Sequence, residues 1–257
     1  MSVSGIDVWR QGGVTFASFA ASRLGVWSDP IPGTADAVPH SPAEALAASG
    51  ADVILDGPMF ENCNGGDYAS SQCAVVRFQQ LDASNGVSFG TESQSEGITI
   101  AVVNGTAVAA DGAQVPAGAS VAIQCYPALV RAGRNVADNN AGTNGTAEQR
   151  AGVGIMSDGR VVLAAGAVSM AGLASAMIAA GVVEGGYTDG GGSTALWLSD
   201  GQRYGASEQR RVATWIIAKP EAMLASIVPT SPRGWIVAAA LVTAAVAGYS
   251  YFTKRKR

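Results

Sequence analysis

Histidine and cysteine are nearly absent from this chain. There is one histidine, His40, and there are three cysteines, Cys63, Cys73 and Cys125. A serine or cysteine nucleophile activated by an imidazole would have to use His40. That residue lies between Pro39 and a helix start, where it reads as structural or exposed. The ligand spacing of a structural zinc site is missing too. Cys63 and Cys73 flank Asn64-Gly65-Gly66-Asp67-Tyr68. An oxidising compartment would let them close this loop with a disulfide; elsewhere they stay free thiols.

Charge is also scarce. Charged residues make up 14% of the chain, 16 basic against 20 acidic, for a formal net charge of −4. The last four residues, Lys254-Arg255-Lys256-Arg257, carry +4 and leave −8 on the rest. Nucleic-acid binding needs a basic footprint, so nucleic acid is excluded as a partner. Met1 to Arg10 is polar and no long apolar run follows, so no export signal is visible. No internal repeat is present.

What the chain has is apolar and small. Hydrophobic residues form 48% of its 257 positions and glycine occupies 33. That supplies the core of one good-sized domain plus appendages, built with tight turns and close packing. One appendage is C-terminal. Gly234 to Phe252 carries no charge, close to the ~20 residues that span a hydrocarbon core. Trp235, Tyr249, Tyr251 and Phe252 sit at its ends as interfacial aromatics do, and the basic tetrad follows. The segment 234–253 therefore reads as a single-pass C-terminal anchor in a lipid bilayer, of a cell envelope or of a virion. The basic tail would face the interior; the side of the globular part is left open.

Along the chain, residues 1–40 hold short apolar pieces broken by Pro30, Pro32 and Pro39 and read as opening strands and turns. Ser41-Pro42-Ala43-Glu44 is a helix start, with Ser41 as N-cap and Glu44 reaching back; Gly50 ends that helix. Val53–Leu55 is a buried strand ending at Asp56-Gly57. Further strands are expected at 74–80, 98–103, 106–110 and 120–125, with Asn104-Gly105 as a hairpin turn. Residues 131–149 read as a long exposed loop. Val153–Ile155 and Val161–Ala164 form two strands joined by Ser157-Asp158-Gly159. Met170–Ala180 is a helix capped by Ser169. Residues 195–198 and 212–218 close the domain, and 220–233 is a linker.

The most informative stretch is Tyr187-Thr188-Asp189-Gly190-Gly191-Gly192-Ser193-Thr194-Ala195-Leu196, entered from the apolar run Ala179-Ala180-Gly181-Val182-Val183 and left through Ala195-Leu196-Trp197-Leu198. Three glycines let a backbone approach a ligand closely and aim its N–H groups at an anion, with Asp189 fixed beside them. Ser193 and Thr194 add hydroxyl donors. The stretch lacks the lysine of a Walker loop and leads into a strand, not a helix. A phosphate-bearing substrate next to a carboxylate is the chemistry this suggests. Asp189 is the candidate catalytic carboxylate; its alternative role is to brace the glycine turn.

These residues also resemble a family. Asp189-Gly190-Gly191-Gly192-Ser193 is similar to the signature of the phosphodiester glycosidases. Ala51 to Phe60 resembles the family's early strand ending in Asn-Gly-x-Phe, with Asp56 where the family usually has asparagine. Gln124 to Gly133 resembles its Pro-x-Leu-Val-x-x-Gly segment. Arg150 to Ile155 with Asp158-Gly159 resembles its Arg-x-x-x-Gly-Ile block and turn. Arg210-Arg211-Val212-Ala213 resembles its Arg-Val close. The blocks keep the family's order across residues 51–219.

The resemblance implies an α+β domain over residues 41–219, a mixed, largely antiparallel curved sheet flanked by helices, followed by the transmembrane helix. It implies a hydrolase that cleaves glycosyl phosphodiesters, with a glycan or sugar phosphate as substrate. Asp189 and Arg150 are then the catalytic candidates. Arg211, Asp56, Phe60, Gly190, Gly191, Gly192, Ser193 and Thr194 are the substrate-binding ones, the arginines matching phosphate with bidentate donors. Asp56 and Asp189 are also oxygen donors of the type that suits Mg²⁺ or Ca²⁺, but no metal site is assigned. The competing reading is a non-catalytic protein on the same domain, binding a glycan or serving as a structural component of an envelope or virion.

Overall fold

The computed structural model describes residues 3–31, 36–62, 74–76, 78–89, 95–137, 146–207 and 210–221. Cys63, Cys73, the Asn139–Gly145 stretch and the 234–253 segment lie outside the described residues. Among the described residues no helix is long and apolar enough to cross a membrane.

Antiparallel pairing dominates. The largest sheet has seven strands in the order Asp7–Gln11, Val14–Phe19, Val161–Val168, Glu148–Met156, Val182–Gly190, Ala128–Arg131, Arg134–Asn135. One five-stranded sheet runs Thr106–Asp111, Ile98–Val103, Ala119–Cys125, Gln80–Asp82, Val87–Phe89. The other runs Arg203–Gly205, Ala195–Leu198, Val53–Asp56, Thr214–Ala218, Leu24–Ser28. A three-stranded sheet joins Asp36–Ala37, Ala74–Val76 and Phe60–Asn62. Every strand pairing among the described residues is antiparallel, as the largely antiparallel part of the expectation had it; no mixed pairing is seen among them, and the fold is β-rich with two helices.

Two α-helices accompany these sheets among the described residues. Helix α1 spans Pro42–Ser49 and helix α2 spans Met170–Ala179. Ser41 and Glu44 form a reciprocal capping box on α1, and Gly50 takes the left-handed conformation at its end. Ser169 accepts from the Gly172 N–H at 3.0 Å and starts α2. α2 lies on one side of the seven-stranded sheet, where Leu173, Ala174 and Met177 pack with Phe16, Leu129, Val162 and Tyr187. A larger apolar cluster, including Leu55, Ile98, Ile123, Val153, Leu196 and Trp215, draws on all three larger sheets.

The N-terminal pieces read as opening strands pair into the domain: Val14–Phe19 with Val161–Val168, and Leu24–Ser28 with Thr214–Ala218. Two details differ from the sequence reading. The expected loop at 131–149 begins with a hairpin, in which Arg134–Asn135 returns along Ala128–Arg131. Its turn uses Ala132 at φ 48° and Gly133 at φ 69°; alanine seldom takes positive φ, which is why the sequence concealed the turn. The strand at 74–80 divides into Ala74–Val76 and Gln80–Asp82.

Candidate active site

The strand Val182–Gly190 carries the site, and glycine sets how closely it is packed. A Cβ on Gly186 would collide with the side chain of Cys125 and lie 2.6 Å from Ile98 Cγ2. The strand thus runs against Ile98 and Cys125 of the neighbouring sheet. It ends at Asp189 and Gly190, and Gly191–Ser193 then makes a single 3-10 turn. Gly191 has φ 59°, the left-handed region that glycine enters without steric cost.

Asp189 is partly buried at this strand end. Its Oδ1 accepts from the Gly190 N–H at 2.7 Å, and the Ser193 hydroxyl also bonds to it. Burial pushes its carboxyl up from 3.8 to about 6; the Gly190 and Ser193 hydrogen bonds and the positive charge of Arg210 hold the rise in check. A carboxyl in that range exchanges protons near neutral pH, as general acid–base chemistry requires.

Asp56 lies close enough to feel the Asp189 charge. It ends the Val53–Asp56 strand, between Ala195–Leu198 and Thr214–Ala218, and is wholly buried. Oδ1 accepts from the Ala195 N–H at 2.9 Å. Burial first, and the Asp189 charge second, raise this carboxyl well above the usual aspartate range. The next residue, Gly57, has no room for a side chain: a Cβ would collide with Thr214 Oγ1.

Arg150 comes from the Glu148–Met156 strand, opposite Gly190 in the ladder, and is 7% exposed. Its Nη2 lies 3.0 Å from Glu148 Oε2, and its Nη1 donates to the Tyr187 hydroxyl at 3.5 Å. The guanidinium stands 5.8 Å from the Tyr187 ring centre. Burial and the neighbouring Asp189 raise the Tyr187 phenol, so it remains protonated and a donor. Nε of Arg150 is buried without a hydrogen-bond partner among the described residues.

The two arginines of the closing segment part company. Arg211 donates to the Pro39 carbonyl at 3.0 Å and pairs with Glu44 of α1 at 2.9 Å. Arg210 turns to the glycine stretch instead: its N–H donates to the Gly192 carbonyl at 2.8 Å, and its side chain fills the space beside Gly192. Its charge acts on Asp189. Arg210 and Tyr187 are site residues that sequence reasoning did not select. The pair Arg210-Arg211 gave no sign of which member turns inward, and Tyr187, at the head of the glycine stretch, was given no role.

The other selected residues fall as follows. Ser193 and Thr194 are buried, Ser193 against Asp189. Phe60 is buried in the large apolar cluster. His40 pairs with Asp29 at 3.1 Å and packs edge-on to Trp27. The described residues contain no group of three or more acidic, histidine or cysteine side chains placed to hold a metal.

The described residues thus form an antiparallel, β-rich domain with a glycine-backed carboxyl beside an arginine. Residues 51–219 match the family model described as phosphodiester glycosidase, and the chain belongs to that family. Among solved structures it resembles the catalytic domain of zebrafish N-acetylglucosamine-1-phosphodiester alpha-N-acetylglucosaminidase, auto-inhibited by its pro-peptide. That match has a TM-score of 0.61 at 12% identity over 83% of this chain and 81% of that one. A hypothetical protein from Synechocystis aligns with a TM-score of 0.51 at 15% identity, over 82% of this chain and 61% of that one. At these identities both matches speak to the fold. A search of curated proteins finds no match.

Proposed function

We propose that this domain hydrolyses glycosyl phosphodiesters, with Asp189 as the reacting carboxylate. The observation that carries the reading is the placement of Asp189 at a strand end, held by Gly190 and Ser193, with its carboxyl at about 6 and Arg210 beside it. Family membership over residues 51–219 supports the substrate class.

In this reading the ionised Asp189 takes a proton from water. The water oxygen bonds to the anomeric carbon, and the carbon–oxygen bond to phosphorus-bound oxygen breaks. The electron pair leaves with the phosphate monoester, a good leaving group that needs little protonation. Arg150 and Arg210 offset the phosphate charge, and the Gly190–Gly192 backbone lines its approach. The segment 234–253, apolar and closed by the basic tetrad, supports attachment of the domain to a bilayer.

The test is turnover of a sugar 1-phosphodiester bearing a chromogenic aglycone by the full-length chain in detergent. Wild type releases the chromophore, and Asp189→Asn loses at least about a hundredfold in rate, the scale of a removed general base. Binding of the substrate without turnover, equal in both proteins, would replace hydrolysis with a glycan-binding role.

A further inference from the structure

Asp56 is 0% exposed. Its two carboxyl oxygens have different surroundings. Oδ1 accepts a backbone N–H, as a carbonyl oxygen does. Oδ2 is buried and has no hydrogen-bond partner, donor or acceptor, among the described residues.

The cations on the neighbouring elements have other partners. Arg150 faces Glu148 and Tyr187, and Arg210 lies along Gly192 and Asp189. Lys219, on the Thr214–Ala218 side, is held by Asp82 at 2.8 Å. Arg23, from the segment before Leu24–Ser28, pairs with Asp52. The charge that does act on Asp56 is the like charge of Asp189. The Tyr187 phenol is neutral.

An ionised Asp56 would be a desolvated carboxylate beside a second carboxylate, with neither cation nor donor on one of its oxygens. Desolvation makes that state costly, and a buried group escapes the cost by holding its proton. A like-charged neighbour adds to the effect, because one member of such a pair stays neutral.

We propose that Asp56 is a neutral carboxylic acid in the folded protein, with its proton on Oδ2, and acts as a positioning residue that leaves Asp189 as the only negative charge of the pair. Its role in positioning rests on the reading of Asp189 as the reacting group; its protonation does not. The neutral acid keeps its acceptor for the Ala195 N–H and leaves an uncharged hydroxyl on the opposite oxygen, which costs far less to bury than a carboxylate. Asp189 then titrates without a second anion near it.

The experiment is infrared spectroscopy of the full-length protein at about pH 8, where ordinary aspartates are ionised. Wild type and Asp189→Asn should both show the carbonyl band of a protonated carboxylic acid, and Asp56→Asn should lack it. The asparagine variant, which keeps the shape, the acceptor and a donor, should fold with a melting temperature close to wild type, whereas Asp56→Ala should not. In Asp56→Asn the Asp189 carboxyl, followed by ¹³C NMR of labelled aspartate, should still titrate at about 6. Absence of the band in wild type, failure of Asp56→Asn to fold, or a fall of Asp189 toward the ordinary aspartate range would each overturn the proposal. None of these readouts uses turnover, so a failed hydrolysis assay and a failed inference are separate results.

Discussion

The Tyr187 hydroxyl occupies the space beside the Gly190 α-carbon where any other residue would carry its side chain. Gly190 is extended, at φ −155°, so the backbone itself does not ask for glycine. The requirement is room: a Cβ would meet the hydroxyl, and it would also lie 2.8 Å from the Gln149 carbonyl. The first glycine after Asp189 thus lets a tyrosine and an arginine, Arg150, approach the strand end.

Replacing Gly190 with alanine should therefore cost about 1–3 kcal/mol, the scale of overpacking, and lower activity by displacing Asp189. Adding Tyr187→Phe removes one of the two collisions. The double variant should recover part of the stability lost by Gly190→Ala, measured by urea denaturation of the four proteins of the cycle. No recovery would mean that the Gln149 carbonyl sets the whole cost.

The Asp189 carboxyl sits at about 6 in the folded protein, against 3.8 for an ordinary aspartate. The folded state binds that proton more tightly than the unfolded chain does. Its contribution to stability is complete below about pH 4 and is lost as pH rises through 6. The shift corresponds to about 3 kcal/mol. Asp189→Asn should then be more stable than wild type at pH 8, with the gain vanishing near pH 4, as followed by melting temperature against pH. In the hydrolysis assay wild-type activity should fall below about pH 6, where the base becomes protonated.

Arg210 and Arg211 should separate in their effects. Arg210→Ala removes the positive charge that restrains Asp189, so the acidic limb of the pH–rate profile should move upward and the rate should drop. Arg211 binds Glu44 and the Pro39 carbonyl. Arg211→Ala should leave the profile in place and cost about 1 kcal/mol or less of stability, because the pair is largely solvated. The two profiles, recorded side by side, decide the matter. A shifted profile in Arg211→Ala alone would reverse the assignment.

A buried ion pair elsewhere offers a stability test remote from the chemistry. Lys219 Nζ meets Asp82 Oδ2 at 2.8 Å and Ser84 Oγ at 2.6 Å, with Lys219 6% and Asp82 0% exposed. Asp82 also accepts from the Val26 N–H at 2.9 Å and so ties two sheets together. Lys219→Met leaves a buried carboxylate uncompensated and should cost about 3–5 kcal/mol in urea denaturation.

Local signals explain what could be read early. Ser41 and Glu44 were legible as a capping box because both partners lie within one turn of chain. Asn104-Gly105 was legible as a hairpin because both residues accept positive φ, which they take at 51° and 77°. Asp189 stood out because three glycines follow it. Other features were hidden for an equally physical reason. The turn at Ala132 uses a residue that does not advertise positive φ, and the burial of Asp56 depends on strands more than a hundred residues away in sequence.

The sequence by itself determined the local elements, the glycine-backed carboxylate and the order of the blocks that mark the family, since each is written in neighbouring residues. Tertiary structure decided which charges meet. It turned Arg210 toward Asp189 and Arg211 toward α1, brought Tyr187 and Arg150 together beside Gly190, and sealed Asp56 within reach of the Asp189 charge. Those outcomes depend on the desolvation and close approach of groups from separate strands, and no local pattern encodes either.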